Sequence, residues 1–443
     1  MYLPKEVREI FNVLRKSNYE AYVVGGCVRD SLLGKQPKDW DICTNATPDI
    51  VMSLFSSYHV IPTGLQHGTV TVMLNKQGFE ITTYRIDGEY EDGRHPNNVV
   101  FTRNLAMDLE RRDFTINALA YSDEEGIVDI FNGIEDLKKG VIRCVGDAEK
   151  RFSEDALRIM RAMRFASVLG FRIEEQTKTE MLKLYPNLSN VSKERINTEL
   201  SKLICGKSKY SVCKEYSEIL GFIIPELRSI FGFSQNNPYH NLDVWNHTLM
   251  VLKNIASSDL CLNLAALFHD IGKPDCYIEE NGVGHFYGHS VISAEKTEKI
   301  LRNLKFSNEI ISEVVLLVEY HNSDISVTKK YIRRMLGKMT KEQFYKLIQL
   351  KKADDKGKVF HKQLEGLVKL EQLNSLFMNF DTESECFTLK QLNLNGQKLK
   401  EIGIKAGPQM GLILNDVLNK VMNEELENDS EILEKYVRDV YCE

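Results

Sequence analysis

The stretch VVGGCVRDSLLGKQPKDWDICT, residues 23–44, decides how the N-terminal third of the chain reads. A β-prone run from Tyr19 to Val24 ends in Gly25-Gly26, and CVRDSLLG then reads as a helix that Gly34 caps. Two glycines let the backbone approach a phosphate chain closely, and the helix behind them aims its first N–H groups at it. Nine residues after Asp30 come Asp39, Trp40 and Asp41. In an extended segment alternate side chains share a face, which sets the two carboxylates on one side with Cα atoms roughly 7 Å apart. Oxygen ligands in that arrangement suit Mg²⁺, and a pair of such ions serves nucleotidyl transfer: one acidifies an attacking hydroxyl, the other steadies the departing pyrophosphate. Alone, an Asp-x-Asp is more often a solvated turn, and a Gly-Gly turn is more often plain strand-to-helix geometry. The combination carries the reading.

Outward from this stretch, Thr47-Pro48 reads as an N-cap followed by proline at the first helical position, and GTVTVML (68–74) and FEITTYR (79–85) alternate as neighbouring strands. Glu80, in the second run, is a candidate third carboxylate, with a surface-facing strand glutamate as the alternative. From Phe152 the period becomes helical, with Ala156, Met160 and Met163 on one face and Arg158, Arg161 and Arg164 elsewhere. The expected fold is an α+β N-terminal head, a mixed sheet with helices, followed by mainly α-helical neck, body and tail. The α/β pattern covers the first 140 or so residues, and polar, turn-rich segments at 232–241 and 352–358 serve as further joints, dividing the chain into 1–140, 141–238, 239–356 and 357–443.

A chain of 443 residues exceeds one compact core, and its 43% hydrophobic and 27% charged residues are ordinary for a soluble, multi-domain enzyme. No apolar run approaches the ~18 residues of a membrane helix, so no membrane partner is expected. MYLPKEVREIFNVL lacks the basic, apolar and small-residue order of an export signal, which points to the cytoplasm. Nine cysteines without a CxxC pair read as reduced thiols. A net charge of −6 disfavours nucleic acid only if it is uniform; Lys329, Lys330, Arg333, Arg334 and Lys338 form a candidate phosphate-binding stripe.

GGCVRD (25–30), DWDICT (39–44), RRDFTINALA (111–120), EDALRIMRAMRF (154–165) and ERINTEL (194–200) together resemble the motif series of the class II tRNA nucleotidyltransferase and bacterial poly(A) polymerase family, in that family's order. The resemblance implies that Asp39 and Asp41 are metal-binding catalytic carboxylates using Mg²⁺. It further implies that Gly25, Gly26 and Arg29 meet triphosphate and sugar, and that Arg111, Arg112, Asp113 and Asn117 meet ribose and phosphates. Asp155 and Arg158 match the family's protein template for the incoming base, and Arg161 a contact to the triphosphate or the template helix. Three residues apart on a helix, Asp155 and Arg158 project toward one face; Asp accepts from an exocyclic amine and Arg donates to a ring nitrogen or O2, a pattern CTP and ATP share and UTP lacks. The plain alternative is an ion pair between the two, and Arg161, Lys193 and Arg195 are otherwise solvated helix charges. DGEYEDGRHPNNVVF (87–101) resembles the loop linked to terminal A addition, and LNGQKLKEIGIKAGPQMGLILN (394–415) the family's tail, where Gly407-Pro408 either meets an RNA phosphate or simply starts a helix.

A second constellation lies further on. His247 stands in VWNHTLMVL, His269-Asp270 ends the apolar run LNLAALFHD, and His289, His321 and Asp354 follow. Each is by itself more often a core or chance residue. The ordered set resembles the HD phosphohydrolase superfamily, which implies metal ligands at His247, His269, Asp270 and Asp354, with His289 and His321 available to a second ion of unspecified identity.

The expected function is addition of CCA to tRNA 3′ ends from CTP and ATP without a nucleic-acid template, with phosphohydrolase side activity at the second constellation. The competitors are an A-adding tRNA enzyme or poly(A) polymerase and, in a different class, a hydrolase whose head only binds nucleotide. Oligomeric state is not legible in the sequence.

Overall fold

Seven short strands support the N-terminal motifs: β1 (Tyr22–Val24), β2 (Ile42–Thr44), β3 (His59–Ile61), β4 (Thr69–Leu74) and β5 (Gln77–Thr83), then, after a separate antiparallel pair β6 (Arg85–Asp87) and β7 (Val99–Phe101), β8 (Leu119–Ser122) and β9 (Gly126–Asp129). The structure, a computed structural model, describes residues 1–62, 64–88, 99–381 and 385–442. The sheet order is β3-β4-β5-β2-β1-β8-β9; β2 runs parallel to β5 and the other pairs are antiparallel, so the sheet is mixed as expected. Register follows burial: Val70 faces Ile81 and Val72 faces Phe79, all four in the core. Asn75 and Lys76, both at positive φ, make the two-residue turn between β4 and β5.

The chain separates into two compact units, Met1–Pro225 and Glu226–Glu443. The first holds the sheet and helices α1 (Lys5–Lys16), α2 (Gly26–Leu32), α3 (Pro48–Leu54), α4 (Leu105–Glu110), α5 (Gly133–Lys139), α6 (Ala148–Glu154), α7 (Leu157–Leu169), α8 (Glu175–Leu184), α9 (Lys193–Ile204), α10 (Lys209–Glu215) and α11 (Ser217–Ile223). In α1, Val7, Ile10, Phe11 and Leu14 repeat at helical spacing and are all buried. Pro48 starts α3 as expected, although Thr47 makes no side-chain cap bond. The pair β10 (Val141–Ile142) and β11 (Arg172–Ile173) ties the helices together.

One helical expectation is corrected. EDALRIMRAMRF is not a single helix: α6 ends at Glu154, Asp155 has extended torsions (φ −148°, ψ 102°), and α7 starts at Leu157. Asp155 Oδ1 accepts from the Leu157 N–H (3.0 Å), satisfying a donor that a helix start leaves open.

The second unit is mainly helical: α12 (Val244–Asn254), α13 (Leu260–Phe268), a hairpin of β12 (Tyr277–Glu280) and β13 (Val283–Phe286), then α14 (His289–Asn303), α15 (Asn308–Tyr320), α16 (Lys329–Leu336), α17 (Lys341–Asp355), α18 (Phe360–Met378), α19 (Gly396–Ile402), α20 (Pro408–Met422) and α21 (Ser430–Tyr441). Lys352–Asp355 continue α17, so the expected joint at 352–358 is irregular only from Lys356. One member of the basic stripe is corrected: Arg333 is buried and pairs with Glu385 (2.6 Å) and Glu424 (2.8 Å), whereas Lys329, Lys330, Arg334 and Lys338 are exposed. Most of the loop expected at 87–101 lies outside the described residues. Among those residues no helix is long and apolar enough to cross a membrane.

Candidate active site

A cavity of about 480 Å³ in the first unit gathers Gly25, Gly26, Arg29, Asp41, Arg111, Arg112, Asp113, Asn117, Asp155, Arg158 and Arg161; of the residues singled out for this site in the sequence, Asp39 and Glu80 do not line it. Gly25 turns β1 into α2 at φ +75°, a torsion that favours glycine, and a Cβ there would stand 3.0 Å from Arg112 Nη1 and press that guanidinium aside. From α2, Arg29 Nη1 donates to Asn117 Oδ1 (2.6 Å), Asn117 Nδ2 donates to Asp113 Oδ1 (3.0 Å), and Arg161 Nε donates to Asp113 Oδ2 (2.7 Å). This chain binds three motifs into one wall. Burial alone would raise the Asp113 pKa, but the Arg161 charge and the hydrogen bonds from Asn117 and Arg161 outweigh it and bring it to about 2.

Seven arginines (29, 111, 112, 158, 161, 164, 195) face three aspartates (41, 113, 155) around the cavity, an excess of positive charge suited to a polyanion. Burial, with the charges of Arg161 and Arg29 and against that of Glu199, pushes Arg164 down to about 10. Asp108, fully buried and missed by the sequence reading, anchors two of the arginines: Arg111 Nη2 lies 2.8 Å and Arg112 Nη2 3.3 Å from its carboxylate. Its only signal is an acid one helical turn before the arginine pair.

Asp155 and Arg158 share the cavity without being stacked on one helix. Arg195 reaches Asp155 at 2.7 and 3.3 Å, while Arg158 Nη1 donates to Glu154 (2.6 Å) and to the Arg151 carbonyl (2.9 Å), and its Nη2 donates to the Arg111 carbonyl (3.0 Å). Arg195 is thus a partner of the site and not a free surface charge.

At the acidic end, the Val24 N–H donates to the Asp41 carbonyl (2.9 Å), fixing Asp41 beside β1 just ahead of β2. Glu80 occupies the neighbouring position on β5, next to Ile81, whose register partner is Ile42. The Asp41 carboxylate is open to solvent yet set in a dense concave wall; desolvation and the Asp39 charge raise its pKa against the pull of Arg112. Desolvation, Asp41 and Asp39 raise Glu80 in the same way. Three mutually repelling carboxylates, only partly offset by Arg112, form a negative patch that a divalent cation would relieve. They do not converge as a ready three-ligand cage: among the described residues, the gathered groups of three lie in the second unit.

There His247, His269 and Asp354 form one group and Asp270, His289 and His321 another, each with ligand atoms within 4.8 Å. Backbone carbonyls set the histidine tautomers. Nδ1 of His269 donates to Ala266 (2.9 Å), of His289 to Phe286 (2.8 Å) and of His321 to Val318 (2.6 Å), with His247 directed at Gly357 (3.4 Å). Every Nε2 then faces the cluster, His289 and His321 at 3.3 Å from each other. Asp270 lies between the groups, with Oδ2 3.1 Å from His269 Nε2 and Oδ1 3.4 Å from His289 Nε2. His269 Nε2 and Asp270 Oδ2 are buried side by side without the alignment of a hydrogen bond, and this unsatisfied nitrogen and oxygen fit a cation at this point. Burial lowers His321 to about 4, keeping it neutral; for His269 the opposing charges of Asp270 and Asp354 prevail and raise it. Lys273 lies 2.8 Å from Asp270 and Lys358 2.9 Å from Asp354, further partners that local sequence did not flag.

Comparison with known proteins finds relatives along nearly the whole chain. The profile for the poly A polymerase head domain matches residues 21–143, that for the probable RNA- and SrmB-binding site of polymerase A matches 170–230, and that for tRNA nucleotidyltransferase domain 2 (putative) matches 286–437. A CCA-adding enzyme of Oceanobacillus iheyensis is 35% identical over 434 residues, 97% of this chain and 95% of that protein. One from Levilactobacillus brevis is 33% identical, covering 99% of each. One from Leuconostoc mesenteroides is 51% identical over 207 residues, 46% of this chain and 51% of that one. The crystal structure of Bacillus stearothermophilus CCA-adding enzyme in complex with CTP superposes with a TM-score of 0.70 at 28% identity, covering 99% of this chain and 98% of that one. The motif series, the mixed-sheet head and full-length relatives together place this chain in the CCA-adding enzyme family.

Proposed function

We propose that the first unit completes tRNA 3′ ends by adding C, C and A from CTP and ATP, without a nucleic-acid template and with release of pyrophosphate. The observation that carries this reading is the cavity itself: Asp41, a wall of guanidinium groups, and Asp155 and Arg158 all line it. Asp39 and Asp41 would hold Mg²⁺, with Glu80 beside them; Mg²⁺ commonly takes one or two carboxylates and draws the rest of its ligands from substrate phosphates and water, so a protein cage is unnecessary. Bound there, such ions acidify the attacking 3′-hydroxyl and stabilise the leaving pyrophosphate.

The chain's own residues do the remainder. Gly25 and Gly26 admit the phosphates to the start of α2, and Arg29, Arg111, Arg112 and Arg161 neutralise them, with Asp113 and Asn117 holding that wall in register beside the ribose. Asp155 accepts from the base's exocyclic amine and Arg158 donates to its ring nitrogen or O2. The ring N–H and carbonyl of UTP would leave both poorly paired. Residues 1–140 form the catalytic head, 141–238 select nucleotide and RNA, 239–356 carry the second cluster and 357–443 bind tRNA, in the cytoplasm. Incubating the protein with tRNA lacking its terminus, or ending in C or CC, with each labelled NTP tests the reading. Ordered addition of C, C and A is expected; A alone on CC ends, or long A tracts, would replace it with the A-adding or polymerase reading.

A second reading concerns the cluster in the second unit, favoured by the inward-facing Nε2 atoms around Asp270. These residues hold one or two divalent ions and hydrolyse phosphate esters on nucleotides or RNA ends. Purified protein should contain bound metal, and Asp270→Ala should lose ester hydrolysis while keeping nucleotide addition. Metal-free protein that resists reloading would end this reading.

A further inference from the structure

We propose that Phe165 is a positioning residue that holds three arginines together at the polyanion wall through its π face, without lending the wall negative charge. The ring, 5% exposed, lines the cavity from α7. The guanidinium carbon of Arg164 lies 3.9 Å from its centroid, that of Arg29 5.0 Å and that of Arg161 5.5 Å, all within cation–π reach. Phe114 meets it edge-on at 5.8 Å and 83°, which fixes the ring plane. Three like charges around one point repel each other. Their carboxylate partners come from different parts of the chain: Asp30 meets Arg29, Asp113 meets Arg161, and Glu199 meets Arg164 at 2.7 Å and Arg161 at 3.9 Å, so none of these three carboxylates reaches all three arginines.

A fourth carboxylate at the centre would hold the cations closer but would cancel part of the field that attracts a triphosphate. An aromatic face attracts cations and has no net charge, so it gathers them and leaves the field intact. Because the ring touches Arg29, Arg161 and Arg164 and not the base-reading Arg158, Phe165 acts on CTP and ATP alike.

The proposal rests on the cavity being the nucleotide site, and its test separates the two ideas. In the full-length protein, Phe165 is replaced by mono-, di- and trifluorophenylalanine, which drain the π face at nearly constant shape. Binding of CTP, ATP and inorganic triphosphate is measured together with KM and kcat on tRNA ending before CCA. Dissociation constants and KM should climb stepwise with fluorine count, by about tenfold at the trifluoro end, equally for all three probes, with melting temperature unchanged and kcat changed less than KM. Phe165→Tyr should restore binding and Phe165→Leu should not. Dissociation constants that ignore fluorine content, or that change for one base only, would overturn the role of Phe165. Failure of the unmodified protein to bind any of the three probes would instead remove the nucleotide site itself.

Discussion

Asp41 stands between opposed fields, with Arg112 drawing its proton away and burial and Asp39 holding it on. Its raised pKa in the metal-free site sets a direction for Mg²⁺ binding: the ion competes with the proton, so its apparent affinity should fall as acidity protonates Asp41, from a pH above that of an ordinary aspartate, as Mg²⁺ titrations at several pH values would show. Asp41→Asn removes charge stabilisation worth several kcal/mol, so incorporation should drop by about 10³-fold in single-turnover assays. Asp113 shows the opposite balance. Its folded pKa near 2 lies below the ordinary 3.8, so its ionised form stabilises the fold above about pH 4 and that contribution is lost as pH falls toward 2. Asp113→Asn should therefore cost about 2 kcal/mol at pH 7, and urea titrations should show the gap to wild type closing with acid. These signs were not legible from residue type; both are aspartates in recognisable motifs, and only their neighbours distinguish them.

At the scale of elements, the turn from β1 into α2 and the break between α6 and α7 carry the site. Gly25→Ala imposes a side chain on a left-handed torsion and presses on Arg112. About 1–2 kcal/mol of stability should be lost, together with a higher KM for both nucleotides, read by chemical denaturation and steady-state kinetics. The Gly-Gly turn was legible because a strand running into glycines and then a helix is local information. The α6–α7 break was not: Glu154 to Phe165 has unbroken helical periodicity, and the interruption depends on Asp155 bonding the Leu157 N–H and pairing with Arg195, forty positions later. Asp155→Ala should cost about 1 kcal/mol as a lost cap and should also admit UTP, which competition assays with labelled UTP would reveal.

Across the whole molecule, each unit assembles chemistry from distant chain segments. In the second unit, His247 and Asp354 meet at 2.9 Å although 107 positions separate them. Ligands held this way link metal to folding. Saturating divalent metal at about 100 times its dissociation constant should add about 2.7 kcal/mol to this unit, seen as a higher melting temperature that EDTA reverses. Asp270→Ala should abolish the shift, because that carboxylate touches both ligand groups.

The sequence by itself determined the chemical inventory: the glycine turn, the paired aspartates, the arginine-rich motifs and the ordered histidines and aspartates. Their types and spacings are covalent facts, and apolar periodicity was enough to set a mixed-sheet head before helices. Tertiary structure alone decided which charges remain available. It buried Arg333 between two glutamates, gave Asp155 to Arg195, placed Asp108 beneath two arginines and gathered three guanidinium groups on Phe165. Ion pairs and ring contacts between segments far apart in sequence leave no local period, and the field at a site is the sum over all of them.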